Sequence, residues 1–459
     1  MQNQNLHAVH GGQRIVFNSA NLICGEEMIQ KKNLANAGWI IGCKIVQSIL
    51  GVIISMLTAR YLGPSQFGVI NYAAAVVAFV APIAKLGLSH VIVQEIVYSP
   101  DEEGKILGSS IVMSIISSIF SVMGVVAFST IANPNDAETI IVCALYSTLL
   151  VANALEVVQY WFQAKLLSKY PSVVAVIVYV IISLYKAVLL LTKQSVHWFA
   201  VSNAIDHMII GIALLVIYRR QGHQKLEYSF AWAKRLLSKS RHFIIPSLMV
   251  TIFAQTDKIM IKLMIDDAAT GIYSAATTCA GLTSFVFTAI IDSMRPTIVE
   301  HKKCGVSSYE TSVSMLYSII IYLSLAQSVA MTVLSKPIIL VLYGHEYIAA
   351  AHVLAAVVWY TTFSYMGAVR DVWILAEEKQ RYLWIINLVG AITNVVLNLI
   401  LIPTIGINGA AIASIVTQIF TNFVLGFIIS PIRYNNVLMV KGLNPKLLLG
   451  TLKTIIKTK

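Results

Sequence analysis

Apolar runs of about 20 residues recur along the chain from Leu34 to Ser430, with no polar interval long enough for a soluble domain. Twenty helical residues cover the hydrocarbon core of a bilayer, about 30 Å thick. The pattern predicts twelve spans, near 34–58, 66–84, 107–131, 138–164, 171–191, 196–218, 242–265, 269–294, 311–333, 347–376, 382–402 and 407–430. The ten-residue alternation of a membrane barrel is absent, so the backbone must satisfy its hydrogen bonds within helices. The fold class predicted is an all-α polytopic membrane protein.

Polar residues interrupt these runs, and they do so at helical spacing. In span seven Thr251, Gln255, Lys258 and Lys262 share one face; span four carries Asn153, Glu156, Tyr160 and Gln163 in the same way. Similar stripes are Ser284, Thr288, Asp292 and Arg295 in span eight, Tyr179, Ser183 and Lys186 in span five, and Asn387, Asn394 and Asn398 in span eleven. Span one adds Lys44, span six Asp206 with His207, span seven Asp257 and span ten Arg370 with Asp371. A charge at the bilayer centre costs about 2.5–3.5 kcal/mol, so stripes on so many helices are expected to converge on a shared wet cleft. Lys262, near a span end, is expected to snorkel. Asp292 and Arg295 are expected to pair, Arg370 and Asp371 to lie towards the span ends, His207 to be a packed core histidine, and Pro246 to kink span seven.

Composition agrees with the pattern: 57% of residues are hydrophobic and 12% charged. Most of the 33 Lys and Arg residues fall on the side of the membrane that holds both termini, which the positive-inside rule assigns to the cytoplasm. The domain reading is a disordered cytoplasmic extension at 1–33, a six-helix lobe at 34–218, a basic cytoplasmic linker at 219–241, a second six-helix lobe at 242–430 and a basic cytoplasmic tail at 431–459. The five cysteines show no metal or disulfide spacing, and no nucleotide-binding glycine loop is present. The connections opposite the termini are short and hold no His, Asp or Glu cluster, which argues against an enzyme such as a polymerase or ligase. No cofactor, metal or nucleic acid is expected.

The two halves echo each other. "WFQAKLLSKY" (161–170) and "WILAEEKQRY" (373–382) share Trp, Ala, a basic residue and Tyr at matching steps, an offset of 212 from 161 to 373. "FGVINYAAA" (67–75) and "TGIYSAATT" (270–278) align Gly68 with Gly271, an offset of 203. Six spans per half make this a parallel repeat about an axis along the membrane normal, with a cleft between two lobes.

Three segments in order, "LTARYLGPSQFGVINYAAAVVAFV" (57–80), "TDKIMIKLMIDDAATGIYSAA" (256–276) and "LNLILIPTIGINGAAIAS" (397–414), resemble the polysaccharide biosynthesis membrane proteins. These are flippases of the superfamily that includes multidrug and toxin extruders. The likeness runs from about Met28 to Ser430. It implies twelve helices in two six-helix lobes around a central cavity, in the bacterial cytoplasmic (inner) membrane. It also implies the flipping of undecaprenyl-diphosphate-linked oligosaccharide, such as O-antigen units of lipopolysaccharide, to the outer leaflet, driven by a proton or sodium gradient. A polysaccharide polymerase would be a partner, and membrane lipids surround the chain. Lys44, Lys186, Lys258, Arg295 and Arg370 would receive the diphosphate or acidic sugars, with Asn153, Tyr160 and Gln255 as further substrate contacts. Glu156, Asp206 and Asp257 would couple the ion. The alternative within transport is a cation-coupled drug or metabolite antiporter of the extruder type.

Overall fold

The computed structural model describes the backbone of residues 19–222, 224–445 and 447, and the side chains of all of these except 19–41, 44, 90, 303 and 304. Among the described residues there is no strand. The first half comprises α1 (Ser19–Ala84), α2 (Leu88–Tyr98), α3 (Glu103–Ala132), α4 (Ala137–Leu155), α5 (Gln159–Ala164), α6 (Lys169–Leu191) and α7 (Val196–Gln221). The second comprises α8 (Phe230–Met264), α9 (Asp267–Ala280), α10 (Ser284–Cys304), α11 (Val306–Val333), α12 (Ser335–Leu342), α13 (Ala350–Ala376), α14 (Arg381–Ile405), α15 (Ile407–Ile419), α16 (Leu425–Ile428) and α17 (Arg433–Gly442).

The twelve expected spans map onto these helices once three irregularities are resolved. The apolar stretch Ile45–Ala84 is 40 residues, about 60 Å if straight and twice what a bilayer accommodates. It breaks at Gly63, whose φ of 71° a side chain would oppose, and Pro64, which has no N–H to give, opens the next helix. Span eight is the bent pair of α9 and α10, at 44°. Span ten is α13, a 27-residue helix whose polar residues dilute its hydropathy. Pro246 does not interrupt α8, which runs unbroken for 35 residues.

Each half owns a core. Trp161, Phe162 and Tyr218 pack in the first half, joined by Leu236 from the foot of α8, and Phe287, Tyr317, Trp373 and Ile386 in the second. A further core joins the halves: Ala59 and Phe67 of α1 pack with Tyr273, Tyr343 and Tyr347. It lies at the face of the short connections, opposite the face that carries the basic linker and α17. There the Tyr347 hydroxyl donates to the Ala59 carbonyl at 2.9 Å, and Arg60 donates to the carbonyls of Leu340 (3.4 Å) and Val341, the open end of α12.

The repeat is visible in the backbone. In both echo segments the helix closes with the same capping turn: Leu166 and Glu378 take φ of 56° and 57°, and the bonds from Leu167 N to Phe162 O (2.7 Å) and from Lys379 N to Ile374 O (2.9 Å) correspond. Gly68 and Gly271 face each other across the α1–α9 contact. A Cβ on Gly68 would fall 1.8 Å from the Asp267 carbonyl oxygen, and one on Gly271 2.0 Å from that of Pro64. Pro64 and Asp267 are themselves 203 apart, so the contact is reciprocal, as a two-fold relation between halves requires.

The basic connection after α7 is fastened to the first half. Cβ atoms on Gly104 and Gly108 would strike the carbonyls of Lys225 and Glu227, and Ser109 exchanges hydrogen bonds with the Ser229 backbone. Buried Glu95 receives both Arg235 (2.8 Å) and Lys239 from the foot of α8.

Candidate functional site

A polar chamber of about 510 Å³ opens among α8, α9, α13, α14 and α15 in the second half. Gln255, Asp257 and Lys258 line it from α8, Tyr273 and Thr277 from α9, Arg370 and Asp371 from α13, and Asn387 from α14. Half of the span-seven stripe therefore reaches one cavity, together with the first residue of the span-eleven stripe.

Asp257 on its wall accepts three hydrogen bonds. The Tyr273 hydroxyl and the Ser414 hydroxyl each donate to Oδ2 at 2.5 Å, and the Asn398 amide donates to Oδ1 at 2.7 Å. Asn398 also donates to Asn394 Oδ1 at 3.1 Å, while its own Oδ1 is buried with no donor. One carboxylate that accepts from two hydroxyls and an amide N–H on three spans, beside the unpartnered Asn398 Oδ1, offers oxygen acceptors of the kind a proton or a hard monovalent cation takes. Among the described residues no cluster of three His, Cys, Asp or Glu side chains suits a transition metal.

The cations on the chamber differ in freedom. Arg370 is 5% exposed and saturated: it donates to Asp371 Oδ1 (2.8 Å), to the Thr421 carbonyl (3.1 Å) and to Asn422 Oδ1 (2.7 Å). The last two acceptors are offered by a turn of π-helix at Phe420–Val424, which takes backbone oxygens out of the normal ladder. Lys258 lines the chamber with no carboxylate at ion-pair distance among the described residues. Of the two chamber cations it is the one without an ion pair among the described residues, although the charge of Asp257 is nearby.

Lys186, Glu156 and Asp206 lie elsewhere. They form a cluster in the first half, where the helix breaks into a 3-10 turn at Glu156–Val158 between α4 and α5. Glu156 Oε1 meets His207 Nδ1 at 2.8 Å, so His207 is a carboxylate partner rather than the packed core residue its neighbours suggested. Lys186 Nζ donates to Asn203 Oδ1 at 3.1 Å, and Asp206 feels the charges of His207, Lys186 and Glu156. Tyr160 packs in the first-half core with its hydroxyl bonded to Ser89, and Asn153 is half-buried on α4.

A second cavity of about 470 Å³ adjoins the chamber. Gln47 and Gly51 of α1, Tyr179 of α6 and Ser284 line it, and it shares Thr277 and Thr278 with the chamber.

Of the expected residues, Lys186, Glu156, Asp206, Asn153, Tyr160 and Arg295 line neither cavity. Arg295 is 52% exposed and ion-pairs with Asp292 at 3.1 Å, the local pairing its spacing foretold. The side chain of Lys44 lies outside the described residues. Lys262 does not snorkel: it is 8% exposed between Asp136 (2.8 Å) and Asp267 (2.5 Å). Ionic partners 126 and 5 residues away draw it inward, and a single helix's periodicity carries no trace of the first. Sequence reasoning also passed over Ser414, Gln418 and Asn422, chamber residues whose spacing of four was a legible stripe, and Tyr273.

A family model described as "Polysaccharide biosynthesis protein" matches residues 33–302. No curated protein sequence matches the chain. Among solved structures, a lipid II flippase MurJ in an inward closed conformation aligns over 90% of this chain and 92% of its own, with TM-score 0.65 and 16% identity. An inward-facing multidrug resistance MATE family transporter of the MOP superfamily aligns over 85% and 95%, with TM-score 0.67 and 12% identity. The eukaryotic MATE transporter AtDTX14 aligns over 90% and 98%, with TM-score 0.60 and 13% identity. At such identities the likeness speaks for the fold: twelve membrane helices in two lobes around a central cavity. With the family model covering more than half of its length, the chain belongs to the polysaccharide biosynthesis protein family, built on the multi-pass fold that these flippase and exporter structures share.

Proposed function

We propose that this protein flips undecaprenyl-diphosphate-linked oligosaccharide repeat units from the cytoplasmic to the outer leaflet of a bacterial inner membrane, by alternating access of its two lobes (34–218 and 242–430). The observation that carries the reading is the polar chamber within lipid-embedded helices, with Lys258 on its wall and no carboxylate at ion-pair distance from it among the described residues. An unpaired ammonium there is costly alone and favourable beside an anion, and a diphosphate supplies one. Gln255, Asn387 and Tyr273 offer the mixed donors and acceptors that sugar hydroxyls use. Arg370, already neutralised, orders the chamber wall. Asp257, held by two hydroxyls and an amide, is the place for a coupling proton or sodium ion, since occupancy of one carboxylate tied to three spans would bias how α8, α9, α14 and α15 pack. The crowding of basic residues on the face of both termini supports a cytoplasmic location for that face.

Deletion of the gene tests the substrate. Lipid-linked repeat units are expected to accumulate on the cytoplasmic leaflet, with loss of surface polysaccharide and idling of the polymerase that would consume them. A normal leaflet distribution combined with new sensitivity to cationic drugs would select the extruder reading instead.

A further inference from the structure

Lys262 joins the two halves where the function proposed above does not use it. Its Nζ lies between Asp136, in the connection from α3 to α4, and Asp267, at the start of α9. Asp136 belongs to the first half and Lys262 to the second, and theirs is the one ion pair between halves at the short-connection face among the described residues. The surrounding titratable groups are Tyr72 of α1, whose oxygen accepts from Asn133 at 3.0 Å, Cys143 of α4, and Asp266 ahead of α9. None of these is a cation, so Lys262 alone neutralises the cluster.

We propose that the Lys262–Asp136 ion pair is the latch that holds the short-connection face closed between the two lobes. Reversibility follows from where the partners sit. Lys262 is 8% exposed but keeps Asp267, in its own half, as a partner, and Asp136 is 34% exposed at the loop edge, so separation leaves neither charge buried and unpaired. Of the other contacts across this face, the Tyr347 hydroxyl on Ala59 and the glycine pair are neutral and contribute shape, and Arg60 meets only backbone carbonyls of α12, so Lys262–Asp136 is the contact between opposite charges. For the same reason the latch is not a pH trigger. Desolvation pushes the Asp136 carboxyl up, but hydrogen bonds from Lys262 and from the hydroxyl and amide of Thr139 outweigh it and leave it below the ordinary carboxylate range. A depressed carboxylate keeps its bond above that range and loses it only as pH falls through the lowered value. Opening must therefore be driven by lobe motion.

The latch rests on alternating access but not on the substrate, and the test keeps them apart. In the full chain with its five cysteines replaced by serine, Thr277→Cys is placed on the chamber wall and labelled with a membrane-impermeant thiol reagent from the short-connection face. Lys262→Gln and Asp136→Asn are each expected to speed labelling about tenfold, equivalent to about 1.4 kcal/mol. Lys262→Arg should keep the slow rate, and the ratio of the Asp136→Asn rate to the parent rate, which cancels the thiol's own ionisation, should stay flat from neutrality down to about pH 4. Unchanged labelling in both Asp136→Asn and Lys262→Gln, at normal protein abundance, would overturn the latch. Fast labelling without glycolipid movement would leave the latch standing and count against the flippase reading.

Discussion

The two halves carry the same scaffold and different chemistry. Leu166 and Glu378 close equivalent helices with equivalent turns, and Gly68 and Gly271 approach each other by the same geometry read in both directions. The polar residues do not follow. In the second half Asp257, Lys258 and Arg370 line an open chamber; in the first, Glu156 is tied to His207 and Lys186 to Asn203. Duplicated backbone geometry has been kept because close packing punishes any departure. Cavity side chains are free to diverge, since each half needs only to bury its own charges.

The sharpest way to break the comparison is at the glycine pair. Gly68→Ala places a methyl 1.8 Å from the Asp267 carbonyl oxygen and Gly271→Ala 2.0 Å from that of Pro64, so the halves must part by more than 1 Å in either case. Overpacking of this kind costs about 1–3 kcal/mol, or more where both neighbours are backbone. Equal losses of folded protein are expected from the two variants, measured by thermal melting in detergent. Gly42→Ala and Gly124→Ala, where nothing stands within 4 Å, should leave the melting point within a degree or two. A large difference between Gly68→Ala and Gly271→Ala would show that the two-fold relation is only apparent.

Next in size is the contrast between lysines. Lys258→Ala removes the free cation of the chamber and is expected to lower flipping about 30-fold, the effect of losing about 2 kcal/mol of contact with a buried anion. Lys186→Ala removes a cation already held by Asn203 and near Asp206, and a smaller loss is expected. Rates measured in proteoliposomes with a fluorescent diphosphate lipid would decide. Equal losses would place Lys186 on the substrate's path after all, through the second cavity at Tyr179.

How far the molecule could be read from its sequence divides along the same line. The spans, the repeat and the convergence of Gln255 and Lys258 with Asn387 follow from periodicity, because a face of a helix is a local property. The Asn398 and Asn394 stripe was legible too, although its target, Asp257, lies 141 residues from Asn398. What periodicity lacks is the identity of partners. His207 reads as a core residue until Glu156 arrives from 51 residues away, and Lys262 reads as a snorkelling lysine until Asp136 does. Arg295 shows the converse. Its stripe with Ser284 and Thr288 is real, but the face is exposed and the guanidinium pairs within its own helix. The π-turn that feeds Arg370 left no periodic signal, because one extra residue per turn shifts the stripe without erasing it.

The smallest expected effect is the most direct test of common descent in the backbone. Leu166 and Glu378 hold left-handed conformations that cost an ordinary side chain about 1 kcal/mol, and glycine relieves that cost. Leu166→Gly and Glu378→Gly should each stabilise by up to that amount, less the side-chain contacts removed. Leu166 is 41% exposed, so little packing is lost on its side. If the two turns are one inherited motif, the gains should agree within experimental error and add in the double variant, because the sites sit in different halves and share no partner. A gain at one position and a loss at the other would mean that the shared φ values arise from different local demands, and that the resemblance of the two segments ends at the hydrogen bonds.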